Sequence, residues 1–552
     1  MTRWLAARCP EASPALQLAC RAQHFRRWEI PRSSYPMTRP GYLTWRAKLK
    51  SQAAAQVAEL LASPAIEPAL EQEVIDRVAA LVRKENLKND EETQILEDVA
   101  CLVFLDDQFD DFEKKPEIDE EKVIGILRKT WVKMNPTSTT PTFNPSPTLS
   151  TPIKPPLSSL ISTYDFMKVA HDTFPPKTRA FVFSAATDLY THTANTQTFS
   201  SITLRPRILR NVSFPISLST TFLSCPVSTP IFCAPTSLGK TVHPRGELEL
   251  ALGCRAAGAA QVISTSASYP LSAIAATTNS PGTTPHPLFL QLYVDKVRSR
   301  SESLIAEALR LGLKAIFLTV DAPVAGKREA DERTSLSSTN VVVTSPTGVI
   351  QPDASGHALG RLIGSYVDPS LCWDDIPWLR SLLPPEFLVV IKGIQTASDA
   401  VRAMRAGVQG IVVSNHGGRS LDTSTPSVLV LLELQRCCPE VFERMEVFMD
   451  GGVMRGTDVF KCLCLGARGV GIGRGVLWGL GYGKEGVGRY FEVLNEELKT
   501  TMKMCGITSL DEVHPGLLNT RKVDHLVPEV LSEGHPYVKW RPKAKGAEKA
   551  KL

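Results

Sequence analysis

Two hydrophobic rhythms divide this chain. Its second half carries eight short apolar runs that each end in polar residues: IFCAPTS (231–237), QVISTSA (261–267), LFLQLYV (288–294), AIFLTVD (315–321), FLVVIKG (387–393), GIVVSNH (410–416), VFMDGG (447–452) and GVGIGR (469–474). Continuous apolar runs of strand length are what parallel strands covered on both faces require. Amphipathic segments of helix length separate them, among them SESLIAEALRLG (301–312) and TASDAVRAMRAG (396–407). Eight strand–helix units predict an α/β fold, a (β/α)8 TIM barrel over about 160–525, with its site at the C-terminal ends of the strands. Polar residues stand at those ends: Gln291, Tyr293, Thr319, Asp321, Lys392, Ser414, His416, Asp450, Gly473 and Arg474. Any one of them alone reads as a solvated loop residue; a set at equivalent strand ends reads as a site.

The first 134 residues follow a different rhythm. ASPALQLACRAQHFRRW (12–28), LEQEVIDRVAALVRKENL (70–87), DEETQILEDVACLVFLDDQF (90–109) and DEEKVIGILRKTWVKM (119–134) space their apolar residues for helices. A small all-α domain is therefore expected over 1–134, with no glycine-rich phosphate loop. His24 with Glu97 and Asp98 would suit a metal in a phosphohydrolase-like helical fold, although one histidine beside an acidic pair is common on helix faces. The acidic run from Asp106 to Glu121 reads as a solvated face. Residues 135–159 are rich in Pro, Ser and Thr and nearly devoid of charge, so they cannot bury a core and read as a linker. Residues 526–552 form a basic tail.

The last two strand ends narrow the ligand. Asp450-Gly451-Gly452 and Gly471-Ile472-Gly473-Arg474 follow the seventh and eighth runs, where barrels bind phosphate through backbone N–H groups that glycine exposes. With Arg455 and Arg474 beside them they predict a phosphate-bearing cofactor or substrate. Lys392 ends the fifth run and brings an ammonium to the same mouth. There it could stabilise negative charge on a reduced flavin ring, or form an ordinary salt bridge.

Taken with LRPRIL (204–209), APTSLGKTVHPRGE (234–247), TVDAPVAGKREAD (319–331), VIKGIQTASDA (390–400), SNHGGRSLD (414–422) and DGGVMRGTDVFK (450–461), these strings resemble the FMN-dependent α-hydroxy-acid dehydrogenase/oxidase family from about Ser162 to Arg521. The resemblance implies FMN as cofactor, a small L-2-hydroxy acid as substrate, O2 or another diffusible electron acceptor, and a homo-oligomer. It implies that Pro235, Thr236 and Ser237 line the flavin by backbone and that Ser264, Gln291, Thr319 and Ser414 bond the ring edge. Lys392 would meet the N1/O2 side and Asp450 the ribityl chain, with Gly451 in the same shell, while Gly452, Arg455, Gly473 and Arg474 would hold the phosphate. Residues 22–50 with 82–112 resemble a helical domain of unknown function (4202), in a truncated copy.

The residue types suit that chemistry on their own. Oxidising a 2-hydroxy acid requires a base at the hydroxyl-bearing carbon, cations for the carboxylate and a two-electron acceptor. His416 titrates in the range of a base near neutral pH, and Asp321 could orient it and stabilise the imidazolium. Arg419, three residues beyond, could hold a carboxylate with its forked guanidinium. By resemblance Arg328 is a second arginine at the substrate and Tyr293 a hydrogen-bond donor to it.

The sequence departs from the family pattern in four ways. The family places a tyrosine hydroxyl near the substrate carboxylate where FVFSAATD (181–188) offers Phe181 and Val182. Its DGGVRRG reads DGGVMRG, with Met454 for the first arginine, and its GRP reads Gly473-Arg474-Gly475. Ser266 replaces a bulky aromatic of plant glycolate oxidases, which predicts room for a larger side chain. The first departure removes one hydrogen bond and the second one charged contact, so a catalytically weakened FMN-binding relative is one alternative. A helical metal phosphohydrolase or partner-binding module fused to the barrel is the other.

Composition bounds the rest. A net charge of +5 over 552 residues predicts no nucleic acid, and the 12 cysteines include no C-x-x-C, so neither zinc nor a disulfide framework is expected. No apolar run reaches the roughly 18–20 residues a membrane span needs. Ala550-Lys551-Leu552 is near the peroxisomal Ser-Lys-Leu signal, and the Arg-bearing, acid-poor start MTRWLAARCP points instead to a mitochondrial presequence. A peroxisomal address is expected, a mitochondrial one its alternative.

Overall fold

The computed structural model describes residues 2–103, apart from 10, 24, 64–65, 67–68 and 87–88, and residues 154–529, apart from 280–284 and all of 335–358 but 344–345 and 348–349. The chain divides into two compact units, 1–149 and 150–552. No helix among the described residues is long and apolar enough to cross a membrane.

The first unit contains helices α1 (Thr2–Arg8), α2 (Pro14–Ala22), α3 (Arg39–Leu61), α4 (Gln72–Arg83) and α5 (Glu91–Val103). Two of them start on side-chain caps with proline in the first turn: in α2 the Ser13 hydroxyl accepts from Leu16 N, and in α3 the Thr38 hydroxyl accepts from Gly41 N. Leu16, Ala54, Val78, Leu81, Leu96 and Val99 form the core between them. α3 is the longest of the five, and apolar spacing did not predict it. Its buried positions are Gly41, Trp45, Ala53, Ala54 and Val57, and the three small ones among them, Gly41, Ala53 and Ala54, scarcely raise the apolar signal of their face. The helix expected over 12–28 stops at Ala22 and gives way to a 3-10 turn at Arg27–Glu29. The one expected over 119–134 and the acidic run lie outside the described residues.

The second unit is built on eight parallel strands: β1 (Ile231–Cys233), β2 (Gln261–Ile263), β3 (Leu288–Leu292), β4 (Ala315–Thr319), β5 (Leu388–Ile394), β6 (Gly410–Val413), β7 (Glu446–Asp450) and β8 (Gly469–Ile472). Each pairs with the next, and β8 closes on β1, making a barrel. Every strand coincides with one of the eight apolar runs.

Alternation within those runs explains why they do not look alternating. Phe232, Val262, Phe289, Phe317, Val390, Val412 and Phe448 form one cluster, while Ile231, Ile263, Leu290, Ile316, Ile391 and Ile411 join the larger core shared with the helices. Both faces are apolar because one lines the barrel and the other meets helices. A hairpin of Thr220–Phe222 and Cys225–Val227 adds Phe222 to the inner cluster, its ring edge-on to Phe448 at 5.4 Å and Phe232 at 6.0 Å. A Cβ on Gly469 would come 2.5 Å from that ring, so β8 needs glycine there. A fully buried phenylalanine of this kind contributes about 1.5–3 kcal/mol.

Candidate active site

The C-terminal strand ends open on a cavity of about 460 Å³, within the size range of small-molecule sites. The loop after β1 supplies Pro235, Thr236 and Ser237, β2 leads to Ser264, β3 supplies Gln291 and leads to Tyr293, and β4 ends in Thr319. Lys392 comes from β5, His416 from the turn after β6, Asp450, Gly451 and Gly452 from the end of β7, and Gly473 and Arg474 from the end of β8. Arg328 and Arg419 complete the set of expected residues on the cavity wall.

Behind that wall is a fixed network. His416 Nδ1 lies 2.7 Å from Asp321 Oδ1, and Lys392 Nζ lies 3.4 Å from Asp321 Oδ2, 3.5 Å from Asp450 Oδ2 and 3.1 Å from Ser414 Oγ. Ser414 donates to Asp450 Oδ1 at 2.5 Å and accepts from His416 N at 3.1 Å. Local backbone makes this possible. β5 bulges between Lys392 and Ile394, and the position between them needs glycine because Gly393 takes φ 111° and a Cβ there would meet Asp321 at 2.5 Å. His416, Gly417 and Gly418 are consecutive left-handed residues at φ 57°, 63° and 75°, a conformation that for the histidine is held by its surroundings.

Burial would raise the Asp321 carboxyl, but the positive charges of His416 and Lys392 outweigh it and hold it at about 2. Burial lowers Lys392, and Asp321 and Asp450 more than reverse that, so its ammonium stays charged. His416 is lowered from its ordinary 6.5, burial prevailing over the Asp321 carboxylate. At neutral pH the pair is a neutral imidazole backed by a carboxylate, which is the form a base needs.

Three guanidiniums share the cavity wall. Arg419 donates to the carbonyls of Phe181 at 2.9 Å, Val182 at 3.3 Å and Ser184 at 2.6 Å, at the end of the helix Pro176–Phe183 (α6). Its guanidinium stands 5.1 Å from the centre of the Phe181 ring. Arg328 Nε donates to Arg419 O at 3.2 Å, and Arg474 donates to Gly417 O at 2.9 Å. Burial, and then the like charges of Arg328 and Arg474, pull Arg419 well below its ordinary value; burial and then Arg328 pull Arg474 down to about 10. Guanidiniums do not deprotonate in proteins, so the charges stay, and the burial and like-charge crowding that depress them are what a bound anion would relieve.

Some expected residues lie elsewhere. Arg455 is not on the cavity wall: it pairs with Glu497 at 3.0 Å, and Met454 faces the cavity in its place. Adjacent side chains on an extended segment point apart, so of this pair only one can reach the ligand. Asp321 and Ser414 stand behind the wall, acting on it through His416 and Lys392. Ser266 is buried and hydrogen-bonded to Tyr366 Oη at 2.8 Å, so the room expected from its small side chain does not open onto the cavity. In the helical unit Glu97 pairs with Lys84, and Asp98 with Arg8 at 3.2 Å; His24 lies outside the described residues. Among the described residues no group of three or more His, Cys, Asp or Glu could hold a metal.

Sequence reasoning also missed part of the wall. His192, on the helix Tyr190–Ser201 (α7), lines the cavity, and burial followed by the charges of Arg474 and Arg419 lowers it to about 4. Tyr490 and Trp478 line it from helices beyond β8. No strand-end position marks any of the three, because each arrives from a helix.

Residues 170–520 match the model of the FMN-dependent dehydrogenase family, over half the chain. The chain belongs to that family. FMN is the cofactor of this family, and residues 1–144 match a separate family, a domain of unknown function, DUF4202. An L-lactate dehydrogenase (cytochrome) of Wickerhamomyces anomalus is 37% identical over 383 residues, covering 69% of this chain and 65% of that protein. The chain therefore spans just under two thirds of that relative's length. A peroxisomal (S)-2-hydroxyacid oxidase of Arabidopsis thaliana is 37% identical over 361 residues, 65% of this chain and 96% of the oxidase. A mutant flavocytochrome b2 solved with pyruvate bound superposes with a TM-score of 0.59 at 34% identity, over 72% of this chain and 96% of that one.

Proposed function

We propose that the barrel binds FMN at its mouth and oxidises a small L-2-hydroxy acid to the 2-oxo acid, with His416 as the base. The observation that carries this reading is the short His416–Asp321 contact, set beside half-buried arginines that pair with no carboxylate among the described residues. Bound FMN would supply a two-electron acceptor, and the wall suits it. Gln291 Nε2 and Thr319 Oγ1 are buried there without a hydrogen-bond partner among the described residues, a donor and a hydroxyl facing where a ring edge with alternating acceptors and donors would lie. Lys392 holds a fixed positive charge on the same side.

Arg419 and Arg328 would bind the substrate carboxylate, the first already aimed by the carbonyls of Phe181, Val182 and Ser184 at the end of α6. Tyr293, whose phenol burial keeps protonated, would donate to the substrate. His416 would take the proton as the hydroxy acid is oxidised, and Asp321, ionised throughout, would stabilise the imidazolium and fix its tautomer. The arrangement balances a developing positive charge on His416 against a carboxylate that is already in place.

Phe181 and Val182, where the family carries a hydroxyl, favour a second reading in which FMN binds and turnover is weak. The peroxisomal oxidase among the relatives supports O2 as acceptor and a peroxisomal location. Residues 550–552 lie outside the described residues; microscopy of the full chain with and without them tests that location. Stoichiometric H2O2 with 2-oxo acid is the expected result for the acceptor, and product formed only with an added dye or cytochrome would overturn it. The cofactor itself is tested by the spectrum of the purified chain: a yellow chromophore released as FMN is expected, and a colourless protein that takes up no FMN would sink the proposal.

A further inference from the structure

Tyr490 lies on the long helix Gly483–Met504, its side chain wholly enclosed. Its ring packs edge-on against Phe166 at 5.3 Å and Trp478 at 6.5 Å. Tyr490 is among the residues that line the cavity, and its enclosed hydroxyl has no hydrogen-bond partner among the described residues. A buried phenol without a partner costs free energy unless a ligand or water satisfies it.

Its neighbours locate what it faces. A Cβ added to Gly475 would overlap Tyr490 Oη, so this hydroxyl stands against the Gly473-Arg474-Gly475 turn. Where the family pattern has proline at 475, the ring carbons would occupy that space, and Tyr490 fits only because the residue is glycine. Met454 lines the same cavity where the pattern has arginine, and Arg455 is committed to Glu497. The two departures thus belong to one cavity: a guanidinium is missing from it, and a neutral hydroxyl stands against its Gly473-Arg474-Gly475 turn. Burial raises the Tyr490 phenol well above its ordinary range, so it serves as a donor and not as a competing anion.

We propose that Tyr490 Oη donates to the phosphate of FMN beside Arg474, taking over part of the grip that an arginine at 454 would give. This deepens the FMN reading above and rests on it. The phosphate end is then held by one charged and one neutral donor, and Gly475 is the substitution that admits the second.

The test compares two flavins that differ only in the phosphate. Full-length apoprotein is titrated with FMN and with riboflavin, following quenching of flavin fluorescence, for the natural chain and for Tyr490→Phe. Loss of a hydrogen bond to a charged group is expected to weaken FMN by roughly tenfold or more, with riboflavin unchanged, so the preference for FMN over riboflavin shrinks by the same factor. Gly475→Ala, which pushes the hydroxyl aside, should shrink it too. An unaltered preference in Tyr490→Phe would overturn the proposal, and so would equal weakening of both flavins, which marks a packing role. A natural chain that binds neither flavin would instead bring down the FMN reading itself.

Discussion

In the helical unit, side chains whose charges are turned inward meet opposite charges. Lys84 pairs with Glu97, Arg8 with Asp98 at 3.2 Å, and Arg77 spans Asp90 and Glu92, each at 2.6 Å. At the barrel mouth Arg328, Arg419 and Arg474 stand among one another and donate to backbone carbonyls. Asp321 and Asp450 are already engaged by His416, Lys392 and Ser414. The first arrangement is complete in itself. The second has no carboxylate among the described residues to complete it, and the proposed carboxylate substrate with a phosphate-bearing cofactor would supply two anions.

The largest effect should come from the base. His416→Gln should lower turnover by about 10²–10⁴-fold, the usual scale of general base catalysis, while bound FMN is retained; near-normal turnover would remove His416 from the mechanism. The pH profile sharpens the same point. Only the neutral imidazole accepts a proton, and burial lowers its pKa. The acid limb of kcat/KM should therefore fall below the ordinary 6.5, with activity lost as pH drops through the folded value; a limb above 6.5 would contradict the burial argument.

Next comes the helical unit, where the contrast predicts damage to stability alone. Lys84→Met leaves Glu97 buried beside an apolar chain, and losing one partner of such a pair costs roughly 3 kcal/mol. An early thermal transition should shift down while flavin affinity stays constant. Weakened flavin binding in that variant would erase the distinction between the two regions.

The barrel was legible because its strands are covered on both faces, so eight apolar runs stood out and their polar ends marked the mouth. His416, Asp321, Lys392 and Arg419 could be named for that reason. α3 was hidden because alanines do its packing. His192 and Tyr490 were hidden because a helix places them at the mouth from outside the strand pattern. Arg455 misled for a simpler reason: its charge and position suit a phosphate, but the direction of a side chain on an extended segment is fixed by register, and there Met454 faces inward.

Two smaller effects probe the arginine wall. Arg419→Lys keeps the charge but cannot serve three carbonyls and a carboxylate at once. The apparent substrate affinity should fall roughly ten- to hundredfold, the worth of a charge-assisted hydrogen bond; an unchanged KM would make Arg419 a structural residue. Phe181→Tyr adds a hydroxyl under that guanidinium and should tighten substrate binding by about 0.5–1.5 kcal/mol. Weaker binding would mean that the pocket has been rebuilt around the apolar ring.

The most direct test of the barrel mouth as a flavin and hydroxy-acid site is anaerobic mixing of the purified full-length protein with L-lactate and longer L-2-hydroxy acids, following flavin absorbance. The account predicts that at least one such acid bleaches the flavin in the natural chain, while His416→Gln with the same bound flavin stays yellow on that timescale. Flavin that remains oxidised with every L-2-hydroxy acid, or bleaches equally in both proteins, would contradict it.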